Sequence, residues 1–430
     1  MEQKNISQFI INGGNSLNGT VSISGSKNAA LPIIAASLLT NDDVYISNIP
    51  DIKDVKIMLE MLKLIGSKVT FYTKDSIKIN SSNINNFYVP FNFTKKIRAS
   101  ILLLGPLLSR FMKVRIGFPG GCNIGFRPFN LHVDILKKMG IDIYIENKCI
   151  NAFIKKKIKS GTFMFDMVTV TGTENILMTS IFVDGEIIIK NAACEPEIVD
   201  LSNFLVELGA KIYGIGTNTV MIKGVKRLHG NYKYYSIMSD RIEAGTYLIA
   251  GIITRGELLI DNIDSNILSS ILFAIKKTGV NLNVGKNYIE VNMNKIMYLN
   301  SVNIITAPYP FFPTDMQPQF VVLNVIANGI SLIIETVFKN RFTHIKELIS
   351  MGAKIVSNKN KILITGNKKL LGTFVKASDL RSSASLILAG LIAVGKTIIE
   401  YIDHIDRGYD NIENKLTLLG ADIKRRNIII

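Results

Sequence analysis

The chain has 430 residues, 47% of them apolar and 20% charged, which supplies large buried cores and excludes an intrinsically disordered chain. Fifty Lys and Arg against 34 Asp and Glu give a net charge of +16. The basic residues nevertheless fall in small clusters, Lys95-Lys96, Lys155-Lys156-Lys157 and Arg425-Arg426, without the aromatic-interleaved stripe of a nucleic-acid groove. Nucleic acid is therefore not an expected partner. Three cysteines (Cys122, Cys149, Cys194) cannot build a disulfide framework and fit a reducing compartment, and four histidines show no zinc-ligand spacing. The apolar runs stop short of the roughly 18–20 residues of a membrane span, and the first residues lack the apolar stretch of a secretion signal. The expectation is a cytoplasmic protein without membrane insertion.

Along the chain, a glycine closing an amphipathic pattern recurs about every 70 residues, at Gly66, Gly140, Gly209, Gly279, Gly352 and Gly420. Each is followed by a strand-like alternation, so each reads as a helix C-cap feeding a strand. Earlier in every unit a polar cluster opens a small-residue apolar helix. The six openings lie at residues 24–28, 94–98, 171–175, 239–243, 314–317 and 378–381. Ser, Thr and Asp there are natural N-caps, and helix N-termini suit anions. The helices that follow, over residues 29–39, 245–253 and 383–393, are apolar nearly all round, which predicts burial inside the fold. Alternating strands and helices at this period predict an α/β protein of six repeats in two lobes of three. A solenoid competes, but its repeats usually run about 20–45 residues.

One loop stands out. Phe118-Pro119-Gly120-Gly121-Cys122-Asn123-Ile124-Gly125-Phe126-Arg127-Pro128 sets a cysteine in glycine-rich backbone beside a cation. A lone cysteine is usually buried and structural; this setting fits a reactive thiol better.

That loop appears in order with Ser24-Gly25-Ser26-Lys27-Asn28-Ala29-Ala30, Glu195-Pro196-Glu197-Ile198-Val199-Asp200, Phe312-Pro313-Thr314-Asp315-Met316-Gln317, Asp379-Leu380-Arg381 and His404-Ile405-Asp406-Arg407-Gly408-Tyr409. Together these motifs resemble the UDP-N-acetylglucosamine enolpyruvyl transferases, the 1-carboxyvinyltransferases of bacterial peptidoglycan synthesis, over essentially the whole chain. The resemblance implies a two-lobed inside-out α/β barrel with the active site between the lobes. One lobe would comprise residues 1–26 and 237–430 and carry the general base and several arginines. Residues 27–236 would carry the cysteine loop and most of the sugar-nucleotide site. The implied substrates are phosphoenolpyruvate and UDP-N-acetylglucosamine. The implied reaction is an addition–elimination through a tetrahedral ketal that releases phosphate, and the oligomeric state stays open with a monomer the expectation.

By the same resemblance, Cys122 is the general acid, forms a covalent adduct with phosphoenolpyruvate and is the thiol alkylated by fosfomycin. An ordinary thiol is mostly protonated near neutral pH, whereas a neighbouring cation such as Arg127 favours the thiolate; both roles stay open. Asp315 would accept the 3-hydroxyl proton, against the simpler reading of an N-cap. Lys27, Arg127 and Arg407 match phosphate ligands, with Arg341 and Arg381 as further cations and Asn28 beside them; the arginine fork suits phosphate and carboxylate. The sugar-nucleotide site would comprise Asn28, Arg98, Arg127, Pro128, Phe129, Asn130, Leu131, a strand formed by Met167, Val168, Thr169 and Val170, then Asp315 and Val337. No metal or cofactor is expected, because basic side chains can neutralise the leaving phosphate. Met167, Asn130, Lys339 and Phe126 depart from the residues usual in the family, and Glu195 and Glu197 read as structural or hinge-region. The rivals are a shikimate-pathway enolpyruvyl transferase and a non-enzymatic basic scaffold for polyanions.

Overall fold

The computed structural model describes residues 5–120, 130–294, 296 and 298–429. Its described residues divide into two compact units. One holds residues 5–24 with those from Ser239 onward; the other holds residues 25–120 with 130–238. The divides lie two residues from the expected 26/27 and 236/237. Ser26 N–H bonds to Met238 O at 2.7 Å and Ile237 N–H to Ser47 O at 3.1 Å, which keeps both ends of the inserted segment in the second unit.

The repeat is a single topology used six times. In each, a strand pairs parallel with a second, which pairs antiparallel with a third, which pairs antiparallel with a fourth. The fifth repeat runs Ile304–Ile305, helix Gln317–Ile326, Ile330–Ile334, helix Ile345–Ser350, then the hairpin Lys354–Asn358 and Lys361–Thr365. Parallel neighbours need a crossover, which the first helix supplies, and the hairpin needs only a turn. Three repeats are completed from distant chain. Asn5–Asn12 joins Lys396–Glu400 and Asp422–Ile429, Asn18–Ser22 pairs with Glu257–Asp261, and Tyr235–Ser236 pairs with Asp43–Ser47.

The six four-stranded sheets remain separate among the described residues. The expected three repeats per lobe are present as three such sheets in each unit, with no ladder among the described residues joining one repeat's sheet to the next. The inside-out character is present. Every residue of helix Arg241–Ile253 is buried, as are all but the last of Leu380–Ile392 and Gln317–Ile326. These helices are apolar on all sides, so they leave water only by lying within a unit. The six closing glycines all have positive φ, between 87° and 113°, where a side chain would clash with the following carbonyl. Among the described residues no helix is long and apolar enough to cross a membrane, and no group of three or more metal-ligating side chains gathers.

Candidate active site

The candidate residues fall in two groups, one within each unit. In the first unit, Pro313 leads into the tight turn Thr314–Met316, with Asp315 at its middle, and helix Gln317–Ile326 follows with a proline in its first turn. The N-cap residues of that turn and of that helix, Pro313 and Met316, make no side-chain cap bond. One oxygen of the Asp315 carboxylate accepts from Arg341 Nη2 and the other from Arg381 Nη2, the latter at 2.6 Å. The Asp315 side chain is 25% exposed while those of Arg341 and Arg381 are only 3% and 8% exposed. Burial works against the charge of Arg381, but Asp315, Tyr409 and Asp240 together outweigh it and the guanidinium pKa is raised. A half-open carboxylate clamped by two buried cations is oriented rather than free to rotate, and the cations supply fork donors for an anion.

Arg381 owes its place to Asp379, whose Oδ1 accepts the N–H groups of Arg381 at 2.9 Å and Ser382 at 3.1 Å and so caps helix Leu380–Ile392. Thr343 Oγ1 donates to the other Asp379 oxygen at 2.8 Å, which ties the segment after Arg341 to the same cap. Arg341 stacks over the Phe338 ring at 5.4 Å. Arg407 ends the short turn Ile402–Arg407, half-buried, on an element that packs against helix Leu380–Ile392. Val337 is held through its N–H, which donates to Glu335 Oε1 at 2.8 Å.

In the second unit, Lys27 opens helix Lys27–Ala36, and its Nζ lies 2.7 Å from the buried carboxylate of Asp54. Asn28 beside it is half-buried. Arg98 begins the turn Arg98–Leu103; burial lowers its pKa. Asn130 and Leu131 start helix Asn130–Lys138, whose next residue, His132, is 2% exposed. Asn175 Oδ1 accepts Gly105 N–H at 2.9 Å, which orients the amide so that Nδ2 donates to His132 Nδ1 at 3.0 Å. Nε2–H is then left to donate to Thr171 Oγ1 at 3.1 Å, a neutral tautomer. Burial, with the charge of Arg98 adding to it, pushes the imidazole down to about 3. His132 thereby fastens the helix begun by Asn130 and Leu131 to helix Val170–Thr179.

The segment 167–170 corrects two expectations. It is not a strand: the strand Gly161–Met164 ends earlier, and Val170 is already the first residue of a helix. That helix opens one residue before the predicted cluster at Thr171, because Thr169 is its cap, accepting Gly172 N–H at 3.3 Å. Met167 is 65% exposed, Val168 and Thr169 are half-buried, and Asn130 and Lys339 are exposed. Cys122, Arg127, Pro128 and Phe129 lie outside the described residues. Glu195 and Glu197 are buried near Glu174, whose pKa is raised by burial and by those two charges.

Sequence reasoning missed Asp54, His132, Asn175 and Glu335. Asp54 carried a signal, a carboxylate on the apolar side of an otherwise amphipathic helix. The other three are read only from their partners in space.

Repeats of this topology have the fold of solved enolpyruvyl transferases. The enolpyruvyl transferase NikO from Streptomyces tendae superimposes with a TM-score of 0.90 at 24% identity, covering 99% of this chain and 100% of its own. EPSP synthase from Acinetobacter baumannii gives 0.76 at 16% identity, covering 98% of this chain and 100% of its own. Both likenesses speak for the fold. Residues 11–416 match the model of the family described as EPSP synthase (3-phosphoshikimate 1-carboxyvinyltransferase), and the chain belongs to that family. Within it, the chain is 48% identical over 418 residues to the UDP-N-acetylglucosamine 1-carboxyvinyltransferase of Coxiella burnetii, covering 97% of this chain and 96% of the relative. The enzyme of the same name from Idiomarina loihiensis is 47% identical over 97% of this chain and 99% of its own.

Proposed function

We infer that this chain transfers the enolpyruvyl group of phosphoenolpyruvate to the 3-hydroxyl of UDP-N-acetylglucosamine and releases phosphate, the first committed step of peptidoglycan synthesis. The observation that carries this reading is the 47–48% identity, along nearly the full length of both chains, to relatives named for that reaction. The shikimate-pathway reading is disfavoured by the same comparison, since the likeness to an EPSP synthase structure stands at 16% identity.

In this reading Cys122 protonates the methylene carbon of phosphoenolpyruvate while Asp315 takes the proton of the 3-hydroxyl as that oxygen bonds to C2. A carboxylate is a weak base for an alcohol, so proton removal accompanies attack. The tetrahedral ketal then loses a proton from its methyl carbon and the bond from C2 to the phosphate oxygen breaks, restoring the enol ether. Lys27, Arg127, Arg341, Arg381 and Arg407 hold the phosphate and carboxylate of phosphoenolpyruvate, with Asn28 beside them. Arg98, Arg127, Pro128, Phe129, Asn130, Leu131, residues 167–170 and Val337 hold the sugar nucleotide. The clamp of Arg341 and Arg381 on Asp315 supports its role as a base of fixed direction. A cytoplasmic, monomeric enzyme fits the cysteine content and the small-molecule substrates.

The decisive experiment mixes purified protein with phosphoenolpyruvate and UDP-N-acetylglucosamine and follows phosphate and product mass. One phosphate per enolpyruvyl adduct is expected. Turnover with shikimate 3-phosphate and none with the sugar nucleotide would overturn the reading.

A further inference from the structure

We propose that Glu335 is a positioning residue for this reaction: its carboxylate clasps the turn that carries Asp315 to the loop that leads to Arg341. The inference rests on Asp315 being the base.

Glu335 is 2% exposed and follows the strand Ile330–Ile334. Its Oε2 accepts from Thr314 Oγ1 at 2.8 Å, and its Oε1 accepts the N–H groups of Val337 at 2.8 Å and Phe338 at 3.1 Å. A carboxylate taken out of water needs such donors, and here three are supplied from two separate segments. Its backbone is fixed in turn. Glu335 N–H donates to Asn360 O at 2.8 Å, Asn360 Nδ2 donates to Glu335 O at 3.0 Å, and Thr336 N–H donates to Thr306 Oγ1 at 3.0 Å. The side chain therefore projects from a rigid base.

Both legs of the clasp end beside the same ion pair. Thr314 precedes Asp315, and Phe338 carries the ring under the Arg341 guanidinium. A glutamate that only closed the turn after its strand would use the Val337 and Phe338 N–H groups. The bond to Thr314, 21 residues away in sequence, does nothing for that turn and fixes the neighbour of the base instead. A reacting group displaced by about 1 Å can lose about 10²-fold in rate, so this leg acts on turnover more than on substrate binding.

The test separates the legs. Thr314→Val removes only the hydroxyl leg and is expected to lower kcat by about tenfold or more, with the KM for UDP-N-acetylglucosamine changed less than about threefold. Thr314→Ser, which keeps the hydroxyl, restores kcat. Glu335→Gln, with an acceptor still facing the two N–H groups, is expected between wild type and Thr314→Val, and melting temperatures verify that each variant folds. Asp315→Asn is the control. If it is inactive while Thr314→Val turns over at the wild-type rate, or if Thr314→Ser is as slow as Thr314→Val, the role of Glu335 is overturned and the base stands. If Asp315→Asn is fully active, the base falls and this inference with it.

Discussion

Asp379 and Asp315 stand at corresponding points of successive repeats, just ahead of the buried helix, yet Asp379 turns its carboxylate to backbone N–H groups and Asp315 to two arginines. Asp379 caps its helix through the N–H groups of Arg381 and Ser382, and Asp240 caps an earlier one through those of Ile242 and Glu243 at 2.8 and 3.0 Å. Asp315 instead faces Arg341 and Arg381, and the helix after it has no side-chain cap. One sequence position thus takes two kinds of partner, backbone N–H groups in two repeats and arginine side chains in the third.

This division predicts opposite behaviour of the two aspartates on substitution. Asp379→Ala should destabilise the protein by about 1–2 kcal/mol, and Asp379→Asn should recover most of that, because Asn caps about as well as Asp. Asp315→Asn keeps the shape but not a carboxylate that can take a proton, and kcat should fall by about 10²-fold or more. Denaturant midpoints read the first pair and turnover the second. Normal turnover by Asp315→Asn would remove the base from the scheme.

For the thiol, Cys122→Asp is the informative variant. A carboxylic acid still donates a proton but resists alkylation by an epoxide, so part of the activity should remain while inactivation by fosfomycin disappears. Undiminished inactivation of that variant would show the target to be another residue.

His132 predicts a pH dependence of stability. In the unfolded chain its imidazole titrates near 6.5, whereas burial and Arg98 hold it down to about 3 in the fold. Between those values the unfolded chain binds a proton that the folded chain refuses. Stability due to this residue is therefore complete above about pH 6.5 and lost as pH falls toward 3. Urea midpoints of His132→Gln should fall less steeply than wild type over that window. An NMR titration of His132 near pH 6.5 in the folded protein would contradict the buried neutral ring.

Much of the architecture was legible because it depends on local rules repeated six times. Glycine is needed wherever an amphipathic helix ends in the left-handed region, and all six predicted closures adopt it. Helices apolar on every side had to be interior, and they are. The strand that the resemblance implied at residues 167–170 is absent because the segment is used as a helix cap. The Thr169 hydroxyl accepting Gly172 N–H favours a helix start over continued extension. The sequence period says how many sheets form, and the structure adds that the six sheets stay separate among the described residues.

The amino-acid order by itself determined the six repeats, the buried helices and the presence of a cysteine loop, an aspartate and several cations in motif order. These follow from spacing along the chain, where a period or a cap is a matter of neighbouring residues. Only the folded chain decided which aspartate meets which arginine, 26 and 66 residues away, that His132 is fastened to Asn175 across 43, and that Glu335 reaches back to Thr314. Such partners are selected by the packing of separate helices and loops, and a charge or hydrogen bond acts on distance in space.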